Sequence, residues 1–171
     1  MEYVIRFAIS LFDLAVFMYY FHSNKKMKPV SKVWIWAGFT IAAVIWTFVS
    51  SIKNPYLNQL LHKFFDNQTF VERFKFHSAA KSVHHGFVGG LLEHTVSVTR
   101  NCNYFAQNYP FLNRDLLLTA SIFHDIGKLK ELSSLPANDY TDAGQLLGHI
   151  MIGAEWVGEA IRTIDGFPAT L

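Results

Sequence analysis

Between Lys32 and Lys53 lie twenty uncharged residues, VWIWAGFTIAAVIWTFVSSI, apolar on every side rather than striped. At about 1.5 Å of rise per residue, such a helix matches a hydrocarbon layer of about 30 Å. Trp34, Trp36 and Trp46 stand toward its ends, where indole rings favour a membrane interface. The earlier run over residues 4–22 is weaker, because Asp13 interrupts it. The pattern predicts one or two long apolar helices in residues 1–52, a membrane hairpin or anchor, with buried core helices as the alternative. The start MEYVIRF has no basic n-region and no small-residue cleavage site follows it, which argues against a removable signal peptide.

From residue 53 onward the apolar positions fall into helical stripes. Asn54 and Pro55 supply an N-cap and a first-turn proline for NPYLNQLLHKFFDN. FVERFKF predicts a short second helix, and SAAKSVHHGFVGG predicts a loop closed by two glycines. Leu91, Val98, Cys102 and Phe105 repeat at helical spacing in the next segment. Asn113 caps a helix carrying Leu116, Leu117, Ala120 and Phe123, which Gly127 is expected to end. After the loop SSLPANDYTDAG, a last helix spans about 145–164, with Leu147, Ile150, Ala154, Val157 and Ile161 expected on its buried face. No alternating strand pattern occurs, so residues 53–171 read as one all-α domain.

Composition sharpens the division. Only 16% of residues are charged, and residues 1–51 carry net +3 against −1 for the remainder. A near-neutral domain counts against nucleic-acid binding by bulk electrostatics and leaves the local group of Arg73, Lys75 and Lys81 near His77, His84 and His85. Four lysines between the two apolar runs, in HSNKKMKPVSK, would hold that connector in the cytoplasm. The lone Cys102 supplies neither an internal disulfide nor a cysteine zinc site, and reads as a small buried side chain.

The chemistry centres on SIFHDIGKLKE, where His124 and Asp125 sit in an otherwise apolar stretch. A buried carboxylate requires a partner or a metal. His94 and His149 also lie beside apolar helical stripes; each alone could be a core histidine, but together with His124 and Asp125 they form an imidazole–carboxylate set. Such donors suit Mn, Fe, Co, Ni or Zn at a catalytic site better than a structural zinc clip. Neighbouring helical residues diverge by about 100°, so His124 and Asp125 converge on one ion only at a helix end. Lys128 could meet an anionic substrate oxygen or simply face solvent.

The motifs LLEHT, FHDIGKLKEL and YTDAGQLLGHIMIG, with NPYLNQLL, FKFHSAAKSVHHGFVGGLLEHTVSV and GFPATL, resemble the HD superfamily of metal-dependent phosphohydrolases. The resemblance is greatest to the HD domain of YhaM-type 3′–5′ exoribonucleases, and runs from about residue 53 to the C-terminus. It implies an HD-domain helical bundle with His94, His124 and Asp125 as metal ligands, and one or two divalent ions. His149 would bind the second ion and Asp125 would bridge the two. Asp125 and Lys128 would serve catalysis. Lys81, His84, His85, Gly89 and Lys128 would bind the substrate, a phosphoester such as single-stranded RNA. The family has further helices carrying another histidine pair and a last ligating aspartate, so the resemblance implies a bundle incomplete at Leu171. It also departs at the front, where the family has an oligonucleotide-binding barrel. Two readings follow: an exoribonuclease-like phosphohydrolase working in the cytoplasm, membrane-associated through residues 1–52, or a non-catalytic, membrane-linked remnant kept for interactions.

Overall fold

A computed structural model describes residues 43–82 and 85–171. A helical segment over 43–51 leads into helices α1 (Pro55–Phe65), α2 (Gln68–Phe76), α3 (Gly90–Asn108), α4 (Arg114–Phe123), α5 (Lys128–Glu131) and α6 (Asp142–Arg162). Among the described residues the only extended pairing is one bridge, Leu132 to Tyr140, so this part of the chain is all-helical, as the stripes predict. The expected apolar helix over 4–22, the lysine-rich connector and the first half of the 33–52 run lie outside the described residues.

The described half of that run has a definite place. Ile45, Val49 and Ile52 are buried with Leu57, Leu60, Leu61, Leu118 and Ile122 in the core. Burying each of these large side chains in the core contributes about 1.5–3 kcal/mol. No helix among the described residues is long and apolar enough to cross a membrane, so the expected transmembrane helix finds no support among them.

The caps act where the sequence puts them. Asn54 Oδ1 accepts the Tyr56 and Leu57 amides at the start of α1, and Asn113 Oδ1 accepts the Leu116 amide at the start of α4. Asp115 joins the two starts, its Oδ2 accepting the amides of Lys53 at 2.8 Å and Asn54 at 2.7 Å. At the other end of α4 an aromatic cluster holds the chain: Phe123 packs on Phe64, with ring centroids 4.9 Å apart, and Phe64 on Phe70, which stacks with Phe74. Phe123 is the last residue of α4, so this cluster sets where the chain emerges toward His124.

Two loops are tied to each other. Ser78 Oγ donates to Asn138 Oδ1, and Asn138 Nδ2 donates to the carbonyls of Ala80 and Lys81. Asn138 is itself buried, so this polar knot has its partners inside the protein.

Helix α6 departs from expectation. Gly148, at φ 71° and ψ 162°, breaks it into two pieces. The rotation at the break ends any continuous stripe. Leu147 and Ile150, expected inside, are exposed, while Ile152 and Gly153 are buried and Trp156, Val157, Ala160 and Ile161 pack against the core. Cys102 is half-buried against the same core, with a free thiol.

Candidate metal centre

After Phe123 the chain leaves the α-helix but keeps turning. The amides of Ile126, Lys128 and Leu129 donate to the carbonyls of Phe123, Asp125 and Ile126, three residues back in each case. This tighter winding stacks Lys128 over Asp125, because side chains three apart eclipse in such turns, and their ammonium and carboxylate meet at 2.8 Å. Gly127 does not end the helix by a left-handed residue, as expected: its φ is −62°. Its role is closeness. A Cβ there would stand 2.0 Å from the His149 carbonyl oxygen and 2.8 Å from the Gly153 nitrogen, so the missing side chain lets α6 lie directly on the turn.

Asp125 is 3% exposed and lies at the centre of the cluster. Its Oδ2 has the Nε2 atoms of His124 at 3.2 Å and His94 at 3.3 Å, and Lys128 Nζ at 2.8 Å. Its Oδ1 has His149 Nε2 at 3.4 Å. Despite this company, Oδ2 accepts no hydrogen bond of good angular geometry. His94 and His124 turn their Nε2 atoms to each other at 3.2 Å. The His94, His124 and Asp125 ligand atoms lie within 4.8 Å of one another.

The far side of each ring explains its orientation. His124 Nδ1–H donates to the Ser121 carbonyl at 2.7 Å, and since a carbonyl only accepts, the neutral ring presents a lone pair at Nε2. His149 Nδ1 lies 2.9 Å from Glu131 Oε1, which likewise leaves its Nε2 facing Asp125. Metal-binding histidines are held in this way, one nitrogen donating to an oxygen behind and the other free in front.

Charge supports the same picture. Burial pushes the Asp125 carboxyl up, but the His124 imidazole and the Lys128 ammonium outweigh it and hold the group well below the usual carboxylate range. Burial also pulls His124 down, but Asp125 overcomes it and leaves the ring above its ordinary value. For His94 burial wins, and its pKa is lowered despite Asp125. The pocket thus keeps an anion and draws one positive charge toward it. Imidazole Nε2 atoms converging on a buried carboxylate fit a divalent transition metal.

The remaining expected residues are distributed around this cluster. Lys128 is paired with Asp125. Lys81 is exposed and paired with Asp139 at 2.6 Å, its ammonium 5.9 Å from the centre of the Tyr140 ring. His84 lies outside the described residues. His85 adopts φ 62°, its ring centroid 5.4 Å from that of His94. Gly89, at φ 85°, precedes α3. Gly90, next to it, lets the chain close up: a Cβ would fall 1.9 Å from the His85 carbonyl oxygen. Arg73, one of the local basic group near the histidines, donates to the Leu129 carbonyl at 2.6 Å and braces α5 from behind. Sequence reasoning missed Glu131 and the Ser121 carbonyl. The carbonyl leaves no trace in a sequence, and Glu131 offers only a single acid between Leu129 and Leu132.

Residues 91–164 match the HD domain family, and this span includes every residue of the cluster. These residues form an HD domain. The chain is also similar to curated proteins described as 3′-5′ exoribonuclease YhaM. It is 41% identical to that of Bacillus subtilis and 39% to that of Bacillus velezensis, in each case over 118 residues covering 69% of this chain and 37% of the relative. With the protein of Listeria innocua it shares 37% identity over 128 residues, 74% of this chain and 40% of that one. The HD chain therefore matches about two fifths or less of the length of these relatives. No solved structure matches it.

Proposed function

We propose that this chain is a metal-dependent hydrolase of phosphoester bonds, acting on phosphodiesters and on RNA from a 3′ end. The observation that carries the reading is the buried Asp125 Oδ2, ringed by imidazole and ammonium nitrogens yet without a well-aligned hydrogen bond. A module kept only for contacts gives no reason for such an atom in the interior. The YhaM relatives, named as 3′-5′ exoribonucleases, supply the substrate class.

In this reading His94, His124 and Asp125 would hold the first ion, and His149 with Asp125 would hold a second. The donor set suits Mn, Fe, Co, Ni or Zn. When bound, a divalent ion polarises a phosphoryl oxygen and makes water a competent nucleophile near neutral pH. The protein's own share is positional. Ser121 fixes the His124 ring, and the aromatic cluster behind Phe123 fixes the turn. Lys128 places an ammonium at the same carboxylate oxygen, where it is the nearest cation for a phosphate oxygen. His85 and Gly89 line the approach, and the cytoplasm is the compartment this chemistry implies.

The test is hydrolysis of bis(p-nitrophenyl) phosphate and of 3′-end-labelled single-stranded RNA with added Mn²⁺, beside Asp125→Asn. Turnover that falls by at least about a hundredfold in the variant supports the reading, in line with loss of a metal-ion site. Equal turnover in both proteins refutes it.

A further inference from the structure

Helix α6 breaks at Gly148, so the amides just beyond it have no acceptor in the turn before them. A side chain from another helix meets that need. Glu131 ends α5, and its side chain is only 11% exposed. Its Oε1 accepts the His149 amide at 3.1 Å and the His149 Nδ1–H at 2.9 Å. One oxygen thus caps the restarted helix and holds the imidazole of the first residue in it.

The backbone of Glu131 is pinned as firmly as its side chain. Its carbonyl accepts the Thr141 amide at 2.9 Å and lies 2.3 Å from where a Cβ on Gly144 would stand. Gly144 thus lets α6 close on Glu131, and Gly148 then turns His149 back toward the same side chain. Two glycines four apart in GQLLG serve one residue, Gly144 at its backbone and Gly148 at its carboxylate.

We propose that Glu131 is the positioning residue of the second metal position. By capping α6 at His149 and fixing the Nδ1–H tautomer, it aims the His149 Nε2 lone pair at Asp125. The metal clause rests on the functional reading above; the cap and the tautomer do not.

The experiment uses the full chain with ¹⁵N-labelled histidine. Long-range ¹H–¹⁵N spectra of the metal-free protein report the His149 tautomer, and titration with Mn²⁺ alone reports stoichiometry and affinity. Wild type, Glu131→Gln and Glu131→Ala are compared, with Glu131→Leu replacing the alanine variant should that not fold. Glutamine keeps an oxygen acceptor in place, so E131Q should retain the Nδ1–H tautomer and both Mn²⁺ equivalents. E131A should lose the tautomer and weaken the second equivalent by at least about tenfold, leaving the first unchanged. Retention of the tautomer in E131A, its loss from E131Q as fully as from E131A, or equal weakening of both equivalents overturns the assignment. A wild-type chain that binds no Mn²⁺ while its variants show the expected tautomer pattern supports the cap and contradicts the metal reading instead.

Discussion

Gly127 and Gly153 face each other across the contact of the turn with α6, yet they differ in what a methyl group would meet. At Gly127 it would stand 2.0 Å from the His149 carbonyl oxygen, a backbone atom that cannot step aside. At Gly153 the nearest heavy atom would be 3.5 Å away, an ordinary contact. Gly127→Ala should therefore destabilise the domain by about 1–3 kcal/mol or more. Gly153→Ala, inside a helix, should be neutral or stabilise by up to about 1 kcal/mol. Denaturant unfolding of the two variants checks both values, and equal losses would show that the glycine contact is not what decides. A second prediction concerns protons. Asp125 holds the His124 pKa above its ordinary value, so at and below that value a proton occupies the position an ion would take. Metal affinity should rise as pH goes from about 6 to about 8 and then level off, because each ion bound displaces that proton. Calorimetric titration in buffers of different protonation enthalpy would detect the proton released.

At the scale of elements, α1 and α4 are joined at their starts by Asp115 and at their far parts by aromatic rings. Asp115→Ala removes the acceptor for two backbone amides at once and should cost about 1–3 kcal/mol by denaturant unfolding, with the two helices themselves retained. Phe123→Ala should cost about 3–5 kcal/mol and also weaken metal binding, since the ring that positions the turn is gone. Helix boundaries were largely legible in the sequence because Asn54, Pro55 and Asn113 act within one turn of themselves. What escaped was tertiary. Nothing local distinguishes Gly127 as a close-approach residue from Gly127 as a helix stop. The break at Gly148 depends on Glu131, seventeen residues earlier, being available to accept the next amide. The break separates Leu147 from the rest of the expected apolar stripe of α6; beyond it Ile150 and Ala154 are exposed, while Val157 and Ile161 pack against the core.

For the molecule as a whole, the histidines and aspartate of the candidate centre could be picked out by type and spacing, and the chain brings His94, His124, Asp125 and His149 together. Their supports were hidden, because a carbonyl such as that of Ser121 and a lone glutamate carry no motif. Of the apolar run 33–52, the described half places Ile45, Val49 and Ile52 in the core, and composition alone cannot separate a helix facing lipid from one facing Leu118 and Ile122. The most direct measurement is elemental analysis of the purified chain beside His124→Ala. The structure predicts at least one equivalent of Mn, Fe, Co, Ni or Zn in the wild type, lost in the variant. A wild-type chain free of these metals after incubation with them, or an unchanged metal content in His124→Ala, would contradict the account at its centre.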